Sequence, residues 1–193
     1  MSLRWRFIVL LLTGLVVTLQ GCAGAVIAGG ATAGAMANDR RSSGAYIDDE
    51  LIEWKLFDVL DADEQIREQT HLNTVSFNGV VLLTGEVPNE MMRTRAIELI
   101  NGVEGVRAVH DETSIAAPSS IMSRTGDSWI TTKVKTALLA EDADIGASTK
   151  VVTEKGVVYL MGIVSPEEAD KLADIVRRVG GVQKVVKVFE YQG

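Results

Sequence analysis

Few side chains in this sequence could move a proton near neutral pH: His71 and His110 are its only histidines. A histidine works as general acid or base only with a partner in hydrogen-bond reach, and neither recurs where the chain repeats itself. Ser119, Ser120 and Ser123 offer hydroxyls, but no nucleophile-elbow pattern surrounds them. Two acidic groups, Asp61, Asp63 and Glu64, then Glu141, Asp142 and Asp144, present oxygen ligands without the spacing of a calcium loop. Solvated loop charge is the expectation for both. No catalytic residue, bound metal or cofactor is therefore expected. Two features with chemical content remain. One is a single thiol, Cys22. The other is a set of aromatic, basic and apolar residues, Trp129, Ile130, Lys133, Val134 and Lys135.

The setting of Cys22 explains what its thiol is for. Arg4 and Arg6 precede an apolar run from Phe7 to Leu19, which is too short to span a bilayer, since that takes about 20 apolar residues. It has the length of a signal-peptide core. Leu19-Gln20-Gly21-Cys22 follows directly, and this pattern resembles the lipobox of bacterial lipoproteins, in which the cysteine is acylated and becomes the mature N-terminus. Each buried methylene contributes about 0.8 kcal/mol, and stable anchoring takes more than one acyl chain. With Ala23 rather than aspartate after the cysteine, the lipoprotein resemblance implies the outer membrane, facing the periplasm. Residues 23–37 are all small or aliphatic and are expected to form a tether rather than a helix against the membrane.

The chain has a formal net charge of −7, which becomes −9 once residues 1–21, with two arginines and no acids, are removed. Such a surface repels nucleic acid, which gathers Lys and Arg clusters, so no nucleic-acid partner is expected. Contact with anionic lipid must then be local.

A repeat organises the rest. Gly79-Val80-Val81-Leu82-Leu83-Thr84-Gly85 returns as Gly156-Val157-Val158-Tyr159-Leu160-Met161-Gly162. Val87 answers Val164, Ala96 answers Ala173, and Gly105-Val106 answers Gly181-Val182. Upstream, Tyr46-Ile47 is taken to answer Trp129-Ile130. Asn78-Gly79 and Lys155-Gly156 mark two-residue hairpin turns. Pro88 and Pro166 precede helical stretches ended by glycines. Each copy is expected to be αββαβ, an α+β fold with a small mixed three-stranded sheet, its last strand parallel to the second through a right-handed crossover. Helices should pack on one face. The expected division is signal peptide 1–21, tether 22–45, first domain 46–115, linker 116–126 and second domain 127–193.

The helix, Gly-Val-Val-x-Leu-x-Gly hairpin, helix and Gly-Val strand, twice over and behind a lipobox, resemble the tandem BON-domain outer-membrane lipoproteins of the DolP (YraP) family. The resemblance covers nearly the whole chain. It implies a monomer that binds anionic phospholipids such as phosphatidylglycerol and cardiolipin, supports outer-membrane integrity and concentrates at division sites. A second reading, of the residues themselves, stays open: a protein-interaction module, tethered by Cys22, that recruits or steadies an envelope assembly through its acidic first domain.

Charge distinguishes the two first helices. Residues 48–58 carry five acids against Lys55, whereas residues 129–140 carry Lys133 and Lys135 and no acid. Anionic lipid attracts each nearby Lys or Arg by about 1 kcal/mol, so the second domain is the expected lipid reader. Trp129 suits the headgroup level. Ile130 and Val134 share a face with Leu138, and core is the expectation for that face even though both are among the candidate lipid contacts. Trp54, on an acidic background, is expected to pack or to serve a domain contact.

Overall fold

Asn78-Gly79 and Lys155-Gly156 do what their sequence promises. All four residues take positive φ, between 50° and 75°, the backbone of a type I′ turn that matches strand twist. In the computed structural model, residues 40–117 and 121–192 are described. Cys22, the signal peptide and residues 22–39 of the tether lie outside them, and the first helix begins at Ser43, inside the stretch expected as tether.

The first repeat runs α1 (Ser43–Ala62), α2 (Glu64–Gln69), β1 (His71–Phe77), β2 (Val80–Val87), α3 (Glu90–Asn101) and β3 (Ala108–Ile115). The second runs α4 (Ile121–Glu141), α5 (Ala143–Ser148), β4 (Lys150–Glu154), β5 (Val157–Val164), α6 (Pro166–Val176) and β6 (Lys184–Tyr191). In each sheet the middle strand pairs antiparallel with the first and parallel with the last. The fold is α+β with two small mixed sheets.

Two short helices were not expected. Asp63 and Asp142 cap them, each carboxylate accepting the N–H three residues on. Asp63 also meets Arg95 at 2.6 Å and Asp142 meets Lys171 at 2.8 Å. These pairings, ahead of the capping bonds, hold both carboxyls below the usual range. So one carboxylate in each of the two supposed loop clusters is a structural cap. The helix α4 also begins at Ile121, well ahead of the expected Trp129, which shortens the linker.

Packing is double-sided. Helices cover one face of each sheet, joining Leu56, Val81, Leu83 and Ile100 in one core and Val134, Leu138, Val158 and Leu160 in the other. The opposite faces meet each other. Phe77 and Leu82 of the first sheet pack with Val152, Tyr159, Met161 and Val188 of the second. Strands buried on both sides read as continuous apolar runs, which is why the repeated Gly-Val-Val hairpin was so visible in the sequence.

Candidate functional site

Two buried aspartates tie each first helix to its hairpin. Asp49 accepts from the N–H of Asn78 at 2.6 Å and of Gly79 at 2.9 Å. Asp127 accepts from Lys155 and Gly156, both at 2.8 Å. With these two matched, Ile52 matches Ile130, lying against Gly105 and Gly181 respectively. Lys55 then matches Lys133, and Leu56 matches Val134. The equivalence of Tyr46-Ile47 with Trp129-Ile130 is thus corrected: Leu51-Ile52 holds that place. The pattern Asp-x-x-Ile-x-x-Lys, present at 49–55 and 127–133, was legible but hidden behind the aromatic match. In this register residues 51–62 carry −2 and residues 129–140 carry +2, a smaller contrast of the same sign.

The five expected lipid contacts do not share one surface. Trp129 is 65% exposed and Lys135 is exposed. Val134, fully buried, belongs to the core with Leu138. Ile130 packs against the same core. Neither Ile130 nor Val134 forms part of the outer face, because the helix needs both to close over its sheet. Lys133 donates its ammonium to the carbonyl of Gly180. Trp129, Thr132, Lys135, Thr136 and Leu139 make the outer stripe at helical spacing.

A neighbouring basic segment went unnoticed in the sequence. The loop held by Lys133 and Ile130 runs through Gly180-Gly181, and residues 177–184 contain Arg177, Arg178 and Lys184 with no acid. Its counterpart, residues 101–108, is neutral, with Glu104 against Arg107. The charge contrast between the repeats therefore extends beyond the helix. Comparing matched loops, rather than matched helices alone, would have revealed it.

The model of the BON domain matches residues 48–117 and again 126–193. The chain belongs to the BON-domain proteins. Within them it belongs to the DolP family: "Outer membrane lipoprotein DolP" of Haemophilus influenzae is 41% identical over 94% of both chains. "21 kDa hemolysin" of Actinobacillus pleuropneumoniae is 39% identical over 79% of each. "Osmotically-inducible protein Y" of Escherichia coli is 32% identical over 74% of this chain and 72% of that one.

Of the remaining candidates, Ser119 and Ser120 lie outside the described residues, and His71 lies beside the contact between the two BON domains. Glu86, fully buried on β2 where the second repeat has Ile163, lies 2.6 Å from Lys155 of the second domain and 3.4 Å from His71. His110 is exposed on β3. Glu154 has its carboxyl raised by burial, then by Glu86 and Asp127. Lys150 meets Glu53 at 2.6 Å, and Asn78 donates to Glu190 at 3.1 Å. Because a buried charge that loses its partner costs about 3–5 kcal/mol, and His71 still faces Glu86, Lys155→Met should cost about 3 kcal/mol in urea unfolding. Adding Glu86→Gln should recover most of that loss. A double variant no more stable than the single one would deny the ion pair this role.

Trp54 departs from its expected packing. It is 68% exposed.

Proposed function

We propose that this protein is an outer-membrane lipoprotein, acylated at Cys22 and facing the periplasm, whose second BON domain binds anionic phospholipid. The exposed Trp129 carries this reading, because it begins a helical stretch, residues 129–140, that bears +2, and this stretch lies beside a loop, residues 177–184, that bears +3. An indole at headgroup depth gains from its amphipathic ring. Each cation near the surface adds about 1 kcal/mol, so the acidic protein as a whole can still be drawn to lipid at this one end. The acyl anchor holds the chain at the membrane, and the second domain then binds at high local concentration. Support of outer-membrane integrity and enrichment at division sites are the cellular roles this binding would serve.

The test is cosedimentation of residues 38–193 with vesicles of phosphatidylcholine alone or with phosphatidylglycerol or cardiolipin. Binding should require anionic lipid and fall with salt. Trp129→Ala and Lys135→Glu should each weaken it about tenfold, the effect of about 1.4 kcal/mol. Lys135 is the cleaner charge probe, since Lys133→Glu would also remove the bond to Gly180. If neither substitution changes the bound fraction, the second domain is not the lipid reader.

A further inference from the structure

The outer face of α1 has no covering element among the described residues, and its composition specifies what should cover it. Ile47, Leu51, Trp54 and Phe57 are each more than half exposed. Their spacing places them in one stripe with Glu50, Asp58 and Asp61. Trp54 sits at its centre, and Glu50, Glu53, Trp54 and Phe57 line a shallow hollow. The core side of the same helix is already satisfied by Ile52, Leu56 and Leu60. Four large apolar side chains on the outside are therefore left mostly to solvent.

We propose that this stripe docks a cationic amphipathic helix of a partner protein. Exposed aromatic and aliphatic residues in one patch mark interaction surfaces, and Trp is among the residues that anchor interfaces most strongly. A helix laid against the stripe would set apolar side chains at i, i+3, i+4 and i+7 onto Leu51, Trp54 and Phe57. Its lysines or arginines would meet Glu50, Asp58 and Asp61, which steer the approach and reject acidic partners. The same acids exclude anionic lipid, which repels carboxylates. The matched face of α4 places Ser128, Thr136 and Leu139 where α1 has these three acids, so the two outer faces are built for different occupants. Two copies meeting α1 to α1 would oppose like charges.

Glu53 does not belong to the docking charge, because it accepts from the Ser76 N–H and from Lys150. Glu50 and Asp58 are the residues to reverse.

The experiment uses the full lipidated chain in nanodiscs of zwitterionic phosphatidylcholine. A photoreactive amino acid replaces Phe57 on α1 or, as the control, Leu139 on α4. The probe is a biotinylated peptide with Leu and Lys at amphipathic helical spacing, compared with its Leu and Glu counterpart. Crosslinking at position 57 should exceed that at 139 at least tenfold, should vanish with the acidic peptide, and should be lost in Glu50→Lys/Asp58→Lys and in Trp54→Ser. Trp129→Ala should leave it unchanged. Equal labelling at the two positions, or labelling that survives the charge reversal, would overturn the proposal. So would adducts between two copies of the chain at position 57 that outcompete the peptide. Failure of vesicle binding by the second domain would leave this result untouched, because the two faces share no residue.

Discussion

Gly85→Ala should destabilise the first BON domain by about 4 kcal/mol, while Gly162→Ala, at the same place in the repeat, should change stability by less than about 1 kcal/mol. The two glycines look interchangeable in sequence, each closing a Gly-Val-Val hairpin strand. Their backbones differ. Gly85 has φ +114° and a Cβ there would lie 1.9 Å from the carbonyl oxygen of His71. That oxygen is in the paired strand, so relief requires moving β1 away from β2, which breaks ladder pairing at Leu72. A side chain cannot rotate out of a clash made by its own Cβ. At Gly162 the nearest atoms are 3.7 Å away, on Phe189 and Ser148, an ordinary contact that adds packing. Alanine there also lowers the entropy of the unfolded chain, so a small gain is the expected sign. Thermal unfolding reads the contrast: a fall of about 10–15 °C for Gly85→Ala, against a few degrees or less for Gly162→Ala. Equal effects at the two sites would mean the repeats have the same hairpin geometry.

That asymmetry shows where sequence reading stops. The strands and α3 were legible because their apolar residues repeat with the right period and their turns carry Asn-Gly, Lys-Gly and Pro. The two-sided burial of Leu82, Tyr159 and Met161 was visible only as strands too apolar for a single core. Which surface filled the second side is a tertiary fact, since the sheets of the two domains meet there and no local pattern encodes a partner sheet. Glu86 illustrates the point. A lone acid in an apolar strand is costly to bury, and its compensation by Lys155 comes from the other domain. In the candidate site, the core face of Ile130, Val134 and Leu138 was readable from helical spacing, and the hold of Lys133 on the Gly180 loop was not. Trp129 and Lys135 point outward, Val134 points inward, and Lys133 bends back to Gly180. The error arose from anchoring the repeat on Tyr46 and Trp129, two aromatics, when the true anchors are Asp49 and Asp127, whose work is hydrogen bonding. That register shift also concealed Leu51 as the counterpart of Trp129, and with it the outward direction of Trp54.

Asp49→Ala should cost about 4 kcal/mol at pH 7, the range expected when a buried, ion-paired and hydrogen-bonded carboxylate is removed. Asp49 is 2% exposed and accepts from Ser76 Oγ at 2.6 Å, from the N–H groups of Asn78 and Gly79, and from Arg41 at 2.7 Å. Alanine would leave two turn N–H groups and a buried hydroxyl without their acceptor. Arg41 would keep its contacts with the Phe77 and Tyr46 rings, 4.2 and 4.9 Å away, but lose its carboxylate. Asp127 takes only the two turn N–H bonds among those described, so Asp127→Ala should cost about 2 kcal/mol. The pH dependence separates hydrogen bonding from simple packing. Burial works to raise the Asp49 carboxyl, but the bonds from Gly79, Ser76, Asn78 and Arg41 together hold it below its usual range. A depressed folded pKa stabilises the native state above the unfolded value of about 3.9 and loses that contribution as pH falls through the folded value. Glu154, raised by burial, carries the opposite sign, but it is common to both proteins and cancels in the comparison. Urea unfolding of wild type and Asp49→Ala should therefore differ most at neutral pH and converge below about pH 4. A gap that stays constant down to pH 3 would mean that Asp49 acts by shape alone, and that charge has no part in holding helix to hairpin.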